Sequence, residues 1–156
     1  MSQNDSMGTD LLVVPFFQAH DAASLDLTSR VTSPRGIRAP GALEAVDLAT
    51  VNGRENVAQA LILRLMTPVG SLAALGHAQY GSRIHELIGE LKTEALRDLC
   101  RAFVLEAVAQ EPRVEPKAVA LRFDPSAETQ SSFVFTLEVQ PRSGGDPVSL
   151  LLEVSI

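Results

Sequence analysis

The sequence predicts an α+β domain, with a helical N-terminal half packed on one face of a three-stranded antiparallel C-terminal sheet. Three observations predict it. Apolar residues recur at helical spacing in two stretches before residue 111. After Glu111-Pro112-Arg113 the period drops to two and holds through three runs. Short turn-rich links join those runs, which favours antiparallel neighbours. At 156 residues the chain fits one domain with a substantial core.

Taken in order, residues 1–10 are polar and acidic and read as a flexible tail. The run Leu11-Leu12-Val13-Val14-Pro15-Phe16-Phe17 is apolar but too short to span a bilayer. Pro15 cannot donate to a ladder, so a strand here is an edge strand or a docked extended segment. Residues 18–50 show weak periodicity, broken by Thr32-Ser33-Pro34-Arg35-Gly36 and Ala39-Pro40-Gly41. Their apolar residues (Leu25, Leu27, Val31, Ile37, Leu43, Val46, Leu48) are too many for a free linker. Residues 1–50 are thus expected to be a tail and an extended arm, packed on the domain or on a partner. Residues 51–156 form the domain proper.

Residues 51–90 read as helix, stop, turn, helix. Ala58, Leu61, Ile62 and Leu65 make one helical stripe, and Asn56 is a candidate cap. Pro68 drives Thr67 out of the α region and stops the helix. Gly70, Gly76 and Gly81 mark bends or close backbone approaches. Residues 92–110 give the clearest helix, capped by Thr93. Its stripe is Leu96, Leu99, Cys100, Phe103 and Ala107, widened by Val104 and Val108. Cys100 lies in the stripe and is most simply a small core residue.

The three alternating runs follow. Val119, Leu121 and Phe123 share one face of the first; Phe133, Phe135, Leu137 and Val139 share one face of the second. Val148, Leu150, Leu152, Val154 and Ile156 share one face of the third. The last strand ends at the C-terminal residue. It either closes the core or lies at a sheet edge and offers backbone to another chain.

Composition narrows the function. The chain carries 13 basic and 19 acidic residues, a net charge of −6, which argues against a nucleic-acid binder. Aromatic content is 4% with no Trp, so the core is aliphatic. The single cysteine excludes an internal disulfide and fits a reducing compartment. Neither signal peptide nor transmembrane helix is expected, which implies cytoplasmic synthesis and folding.

Chemical constellations are weak. His85-Glu86 begins like a zinc-protease helix, but the second histidine position is Gly89. His20, His77 and His85 lack ligand spacing, so no metal or cofactor is expected. Glu86 and Glu90, four apart, would share a helix face; glycoside hydrolysis needs two carboxyls in different environments across a cleft. A solvated face is the plainer reading. No phosphate loop and no serine elbow occur. Glu111-Pro112-Arg113 places an acid and a base about a stiff residue at the negative end of a helix. Its residues alone support an internal ion pair or a docking point for another chain.

Arg64-Leu65-Met66-Thr67-Pro68-Val69-Gly70, Leu75-Gly76-His77, Tyr80-Gly81-Ser82-Arg83-Ile84-His85-Glu86-Leu87-Ile88-Gly89 and the later Glu111-Pro112-Arg113 occur in one order, after Asn56 and Gln59-Ala60. This order resembles the small baseplate wedge family of contractile phage tails, type VI secretion baseplates and extracellular contractile injection systems. The resemblance covers roughly residues 50–156. It implies a structural, non-enzymatic part of a sixfold baseplate. Glu111, Pro112 and Arg113 would dock on the core bundle of larger wedge proteins. The strand carrying Val148, Leu150, Leu152, Val154 and Ile156 would pair with the contractile sheath subunit and initiate the sheath. Inner tube or hub proteins are further candidate partners, with no nucleic acid and no membrane insertion. Asn56, Arg64, Thr67, Pro68, Gly70, Tyr80, Gly81 and Arg83 would be structural motif residues. Some members of that family carry a lysozyme-like label; the alternative implied is a peptidoglycan-degrading hydrolase.

Overall fold

The computed structural model describes residues 7–13, 29–32, 45–48 and 50–156. Strands β1 (Thr9–Leu11) and β4 (Thr50–Asn52) pair antiparallel, as do β2 (Ser29–Thr32) and β3 (Ala45–Leu48). Helix α1 (Gly53–Met66) follows, then two short 3₁₀ turns, Ala73–Leu75 and Ile84–Leu87. Helix α2 (Glu94–Ala109) leads into β5 (Val114–Phe123), β6 (Ser132–Pro141) and β7 (Val148–Ser155). The last three form one antiparallel sheet in the order β5-β6-β7, with the helices ahead of it in the chain. The α+β class is as the sequence predicts.

Register explains the core. Leu121, Leu137 and Leu150 stand side by side across the sheet, and Phe123, Phe135 and Leu152 make the next row. These rows belong to the face that meets the helices. Phe133, Phe135 and Leu137 on the central strand are fully buried with Val57, Leu61, Leu87, Cys100 and Val104. Burial of this kind contributes roughly 1.5–3 kcal/mol per large apolar side chain. Between Val114 and Val119 the β5–β6 register shifts, so residues 115–118 bulge away from β6.

Thr93 caps α2 as expected, its side chain accepting from the Leu96 N–H at 3.1 Å. Leu99 departs from the expected stripe and is exposed. It lies at the stripe's margin, 43% exposed. Glu128 is buried between Lys92 and Arg97, each 2.9 Å from Oε2, and ties the β5–β6 connection to the start of α2. Cys100 sits in the apolar stripe, and burial pushes its thiol up to about 11. Native protein should therefore leave it unreacted toward a thiol reagent at mildly alkaline pH, while concentrated guanidinium chloride releases it fully. Rapid native labelling would contradict that placement.

Four expectations are corrected. Residues 7–10 are not a tail: Met7 enters the core and Thr9–Leu11 pairs with β4. Residues 18–50 contain the β2–β3 pairing rather than only an irregular arm. Val31, Val46 and Leu48 fall on those strands; the arm's other apolar residues, and 14–17, lie outside the described residues. Asn56 is not the cap of α1; the cap position is Asn52, and Asn56 is buried one turn in. Residues 80–90 do not form a second full helix. They hold one 3₁₀ turn at Ile84–Leu87, so Glu86 and Glu90 do not share a helix face.

Candidate interaction site

The motif residues singled out in the sequence converge on two adjoining structures. The first is the exit of α1. Thr67 closes the helix, its Oγ1 donating to the Leu63 carbonyl at 2.7 Å. Pro68 then forms a parallel bridge with Ser82. The Val69 N–H donates to the Ser82 carbonyl at 2.9 Å, and the Ser82 N–H to the Thr67 carbonyl at 2.8 Å. Ser82 Oγ donates to the Leu65 carbonyl at 2.6 Å, satisfying an orphan acceptor at the helix end. Gly81 permits this approach, since its φ is +117° and a Cβ there would lie 2.4 Å from the Thr67 carbonyl oxygen. Gly70 also has positive φ but faces open space. The next residue but one after Gly81, Arg83, stacks over Phe103 at 4.4 Å and grips Glu86 with two hydrogen bonds, 2.9 and 2.7 Å.

The second structure surrounds Glu111. Chain geometry puts Glu111 just beyond α2, whose C-cap is Gln110, and it is buried. An acid at a helix C-terminus is unfavourable, and burial makes it more so. Two arginines offset this. Arg113 Nε lies 2.6 Å from Glu111 Oε1, and Arg64 Nη2 lies 3.7 Å from Oε2. Arg64 comes from the buried side of α1, and its guanidinium lies 4.4 Å over the Tyr80 ring. Burial pushes the Tyr80 phenol above its ordinary value, against the opposite pull of Arg64. Arg113 Nη1 reaches on to the Met7 carbonyl at 3.2 Å, where Asn56 Nδ2 also donates at 3.1 Å.

Asn56, Arg64, Tyr80, Glu111 and Arg113 are therefore one hub, and Thr67, Pro68, Gly81 and Arg83 build the loop that delivers Tyr80 to it. The Glu111–Arg113 contact is the internal ion pair. Pro112 is exposed at the tip of the turn, and the Arg113 side chain is 28% exposed. Sequence reasoning missed Met7 and the role of Gln59. The available signal was the pair of amides, Asn56 and Gln59, three apart on the buried side of α1.

The predicted strand residues Val148, Leu150, Leu152 and Val154 lie on β7 and Ile156 just past it, all on the core side. Sheet order places β7 at an edge, with β6 its one strand partner among the described residues. Among the described residues no group of three or more His, Cys, Asp and Glu could hold a metal ion. No described helix is long and apolar enough to cross a membrane.

Comparison with known proteins adds one relationship. No family model matches the chain, and no curated protein does. A solved structure does. It is a protein from Geobacter sulfurreducens, provisionally described as a tail lysozyme, and it superposes with a TM-score of 0.55 at 20% identity. The likeness covers 65% of this chain and 89% of that one. At that identity it shows a shared fold.

Proposed function

We propose that this chain is a structural, non-catalytic component of a contractile tail-like particle. In this reading it joins the wedge core bundle of the baseplate to the sheath. The observation that carries the reading is the edge position of β7, which has β6 as its one strand partner among the described residues. Along that strand Val148 and Leu150 are buried, while Leu152, Val154 and the terminal Ile156 are only partly covered. A strand added beside it would pair with the backbone groups along that edge and extend the half-covered apolar face. Little blunts the edge: Pro147 precedes it and Glu153 is its one charge. The exposed Pro112 and partly exposed Arg113 form the second contact, with larger wedge proteins. The tail description of the similar Geobacter protein and the motif order support the context. Assembly would take place in the cytoplasm, ending in the baseplate, with no cofactor.

Leu151 supplies the test, being 73% exposed on the face away from the helices. Leu151→Lys should leave folding unchanged and block strand addition at the edge. Co-expressed with sheath and wedge subunits, that variant should still enter wedge complexes but fail to start sheath. Sheath formation equal to the parent protein would overturn the strand-pairing reading.

The lysozyme half of the neighbour's description favours a second reading, a peptidoglycan hydrolase. Glu86 is its best acid, yet it is exposed, and the hydrogen bond from Arg83 holds its carboxyl below the usual range. A general acid requires the opposite shift. Turnover of peptidoglycan by the purified protein, lost in Glu86→Gln, would establish this second reading.

A further inference from the structure

Residues 7–13 occupy a seat built by α1, β4 and the Glu111-Pro112-Arg113 turn. Thr9, Asp10 and Leu11 lie opposite Asn52, Val51 and Thr50. One side chain, Met7, is buried in the core, while Thr9, Asp10 and Leu11 are exposed. Four side-chain bonds from the seat reach main-chain atoms of the segment. Asn56 Nδ2 and Arg113 Nη1 donate to the Met7 carbonyl. Gln59 Nε2 donates to the Leu11 carbonyl at 2.8 Å, and Gln59 Oε1 accepts from the Val13 N–H at 3.0 Å. Asn56 and Gln59 are both almost fully buried, so bonds to the segment's backbone help satisfy two buried amides. The seat thus recognises an extended main chain and one long apolar side chain, the chemistry of a strand acceptor.

We propose that this seat takes residues 7–13 of a second copy of this chain, so that neighbouring copies exchange their N-terminal segments. The segment of another copy fits by identity, making the same bonds. With β2 and β3 paired, Ser29 lies opposite Leu48, two residues before β4. The reach of the segment is therefore set by residues 14–28, a length that spans at most roughly 50 Å, about three times a domain's radius. Withdrawing the segment leaves the packing of α1 and α2 on the sheet in place, because Met7 alone enters the core. Such peripheral units open at lower cost than the global fold. The exchange stands on the seat's geometry and does not depend on the wedge or sheath contacts.

Thr9 and Asn52 give the test, being register partners and both exposed. Opposed strand residues lie within the reach of a disulfide. Full-length T9C protein is mixed with full-length N52C protein at roughly millimolar concentration, comparable to the effective concentration of a tethered segment. Under mild oxidation, the 9–52 linkage between chains should exceed the 9–9 and 52–52 linkages several-fold by mass spectrometry. Adding Met7→Asp to the T9C chain should return it to the random level. A 9–52 yield no greater than the other two, or one that survives Met7→Asp, would overturn the exchange. Buried Cys100 does not compete.

Discussion

Replacing Gly81 by alanine should lower stability by about 3 kcal/mol or more, although the change adds one methyl group. The added Cβ would lie 2.4 Å from the Thr67 carbonyl oxygen and 2.9 Å from both Pro68 C and Val69 N. All three are backbone atoms, so no side chain can swing aside. The bridge between Thr67-Pro68-Val69 and Ser82 must part instead. Two backbone hydrogen bonds then weaken, at roughly 1 kcal/mol each. Holding a non-glycine residue at φ +117° adds on the order of 1 kcal/mol or more. Gly70→Ala is the matched control, with φ +86° and open space around its Cβ position. It should cost only the backbone term, about 1 kcal/mol. By thermal unfolding the Gly81 variant should melt roughly 6–12 °C below the parent, and the control a few degrees below. Hydrogen exchange should speed up at the Val69 and Ser82 amides in the first variant alone. Equal melting of the two variants would show that the close approach does not matter.

What was legible in the sequence divides by the range of the contacts involved. The sheet was legible because its signal is local. Alternation in Phe133 to Val139 and Val148 to Ile156 gives each run one continuous apolar face, with Val134 and Leu151 the apolar exceptions on the other, and register follows from short links. The same holds for α2, where Thr93 and the stripe are read within one helix. Asn56 was misread because both its cap-like chemistry and its position were judged locally, while its true partner is the Met7 carbonyl. Ile84, Leu87 and Ile88 have helical spacing, yet the Pro68–Ser82 bridge and Gly89 confine them to a single turn. In the hub, the adjacency of Glu111 and Arg113 was visible, but Arg64 and Tyr80 arrive from other elements. The motif order in the sequence marks these residues as a set. Only the fold shows that Gly81 and Ser82 exist to bring Tyr80 back over Arg64.

Removing the carboxylate at the centre of that hub should be the more severe change. Glu111→Ala would leave two arginines facing each other without a counter-charge. Arg64 cannot escape, since its side chain is 10% exposed and lies under Tyr80. Arg113, 28% exposed, can turn toward water. Breaking a buried pair by removing one partner costs about 3–5 kcal/mol. Partial escape of Arg113 places the expected loss near the lower bound, still a large share of the stability of a domain of this size. Denaturant unfolding of Glu111→Ala, Arg64→Met and the double variant should be strongly non-additive. Arg64→Met removes the stranded cation, so the double variant should recover at least about 1 kcal/mol relative to the sum of the singles. High salt should change the parent's midpoint little through this cluster, because buried pairs are screened less than exposed ones. The same substitution acts at a distance through Arg113. Freed from Glu111, that side chain loses its aim at the Met7 carbonyl, which then keeps one of its two side-chain donors, Asn56. Amide exchange at residues 9–11 should therefore accelerate in Glu111→Ala beyond the acceleration in the α2 core. Uniform acceleration across both regions would mean that the hub stabilises the domain as a whole and does not specifically hold the segment.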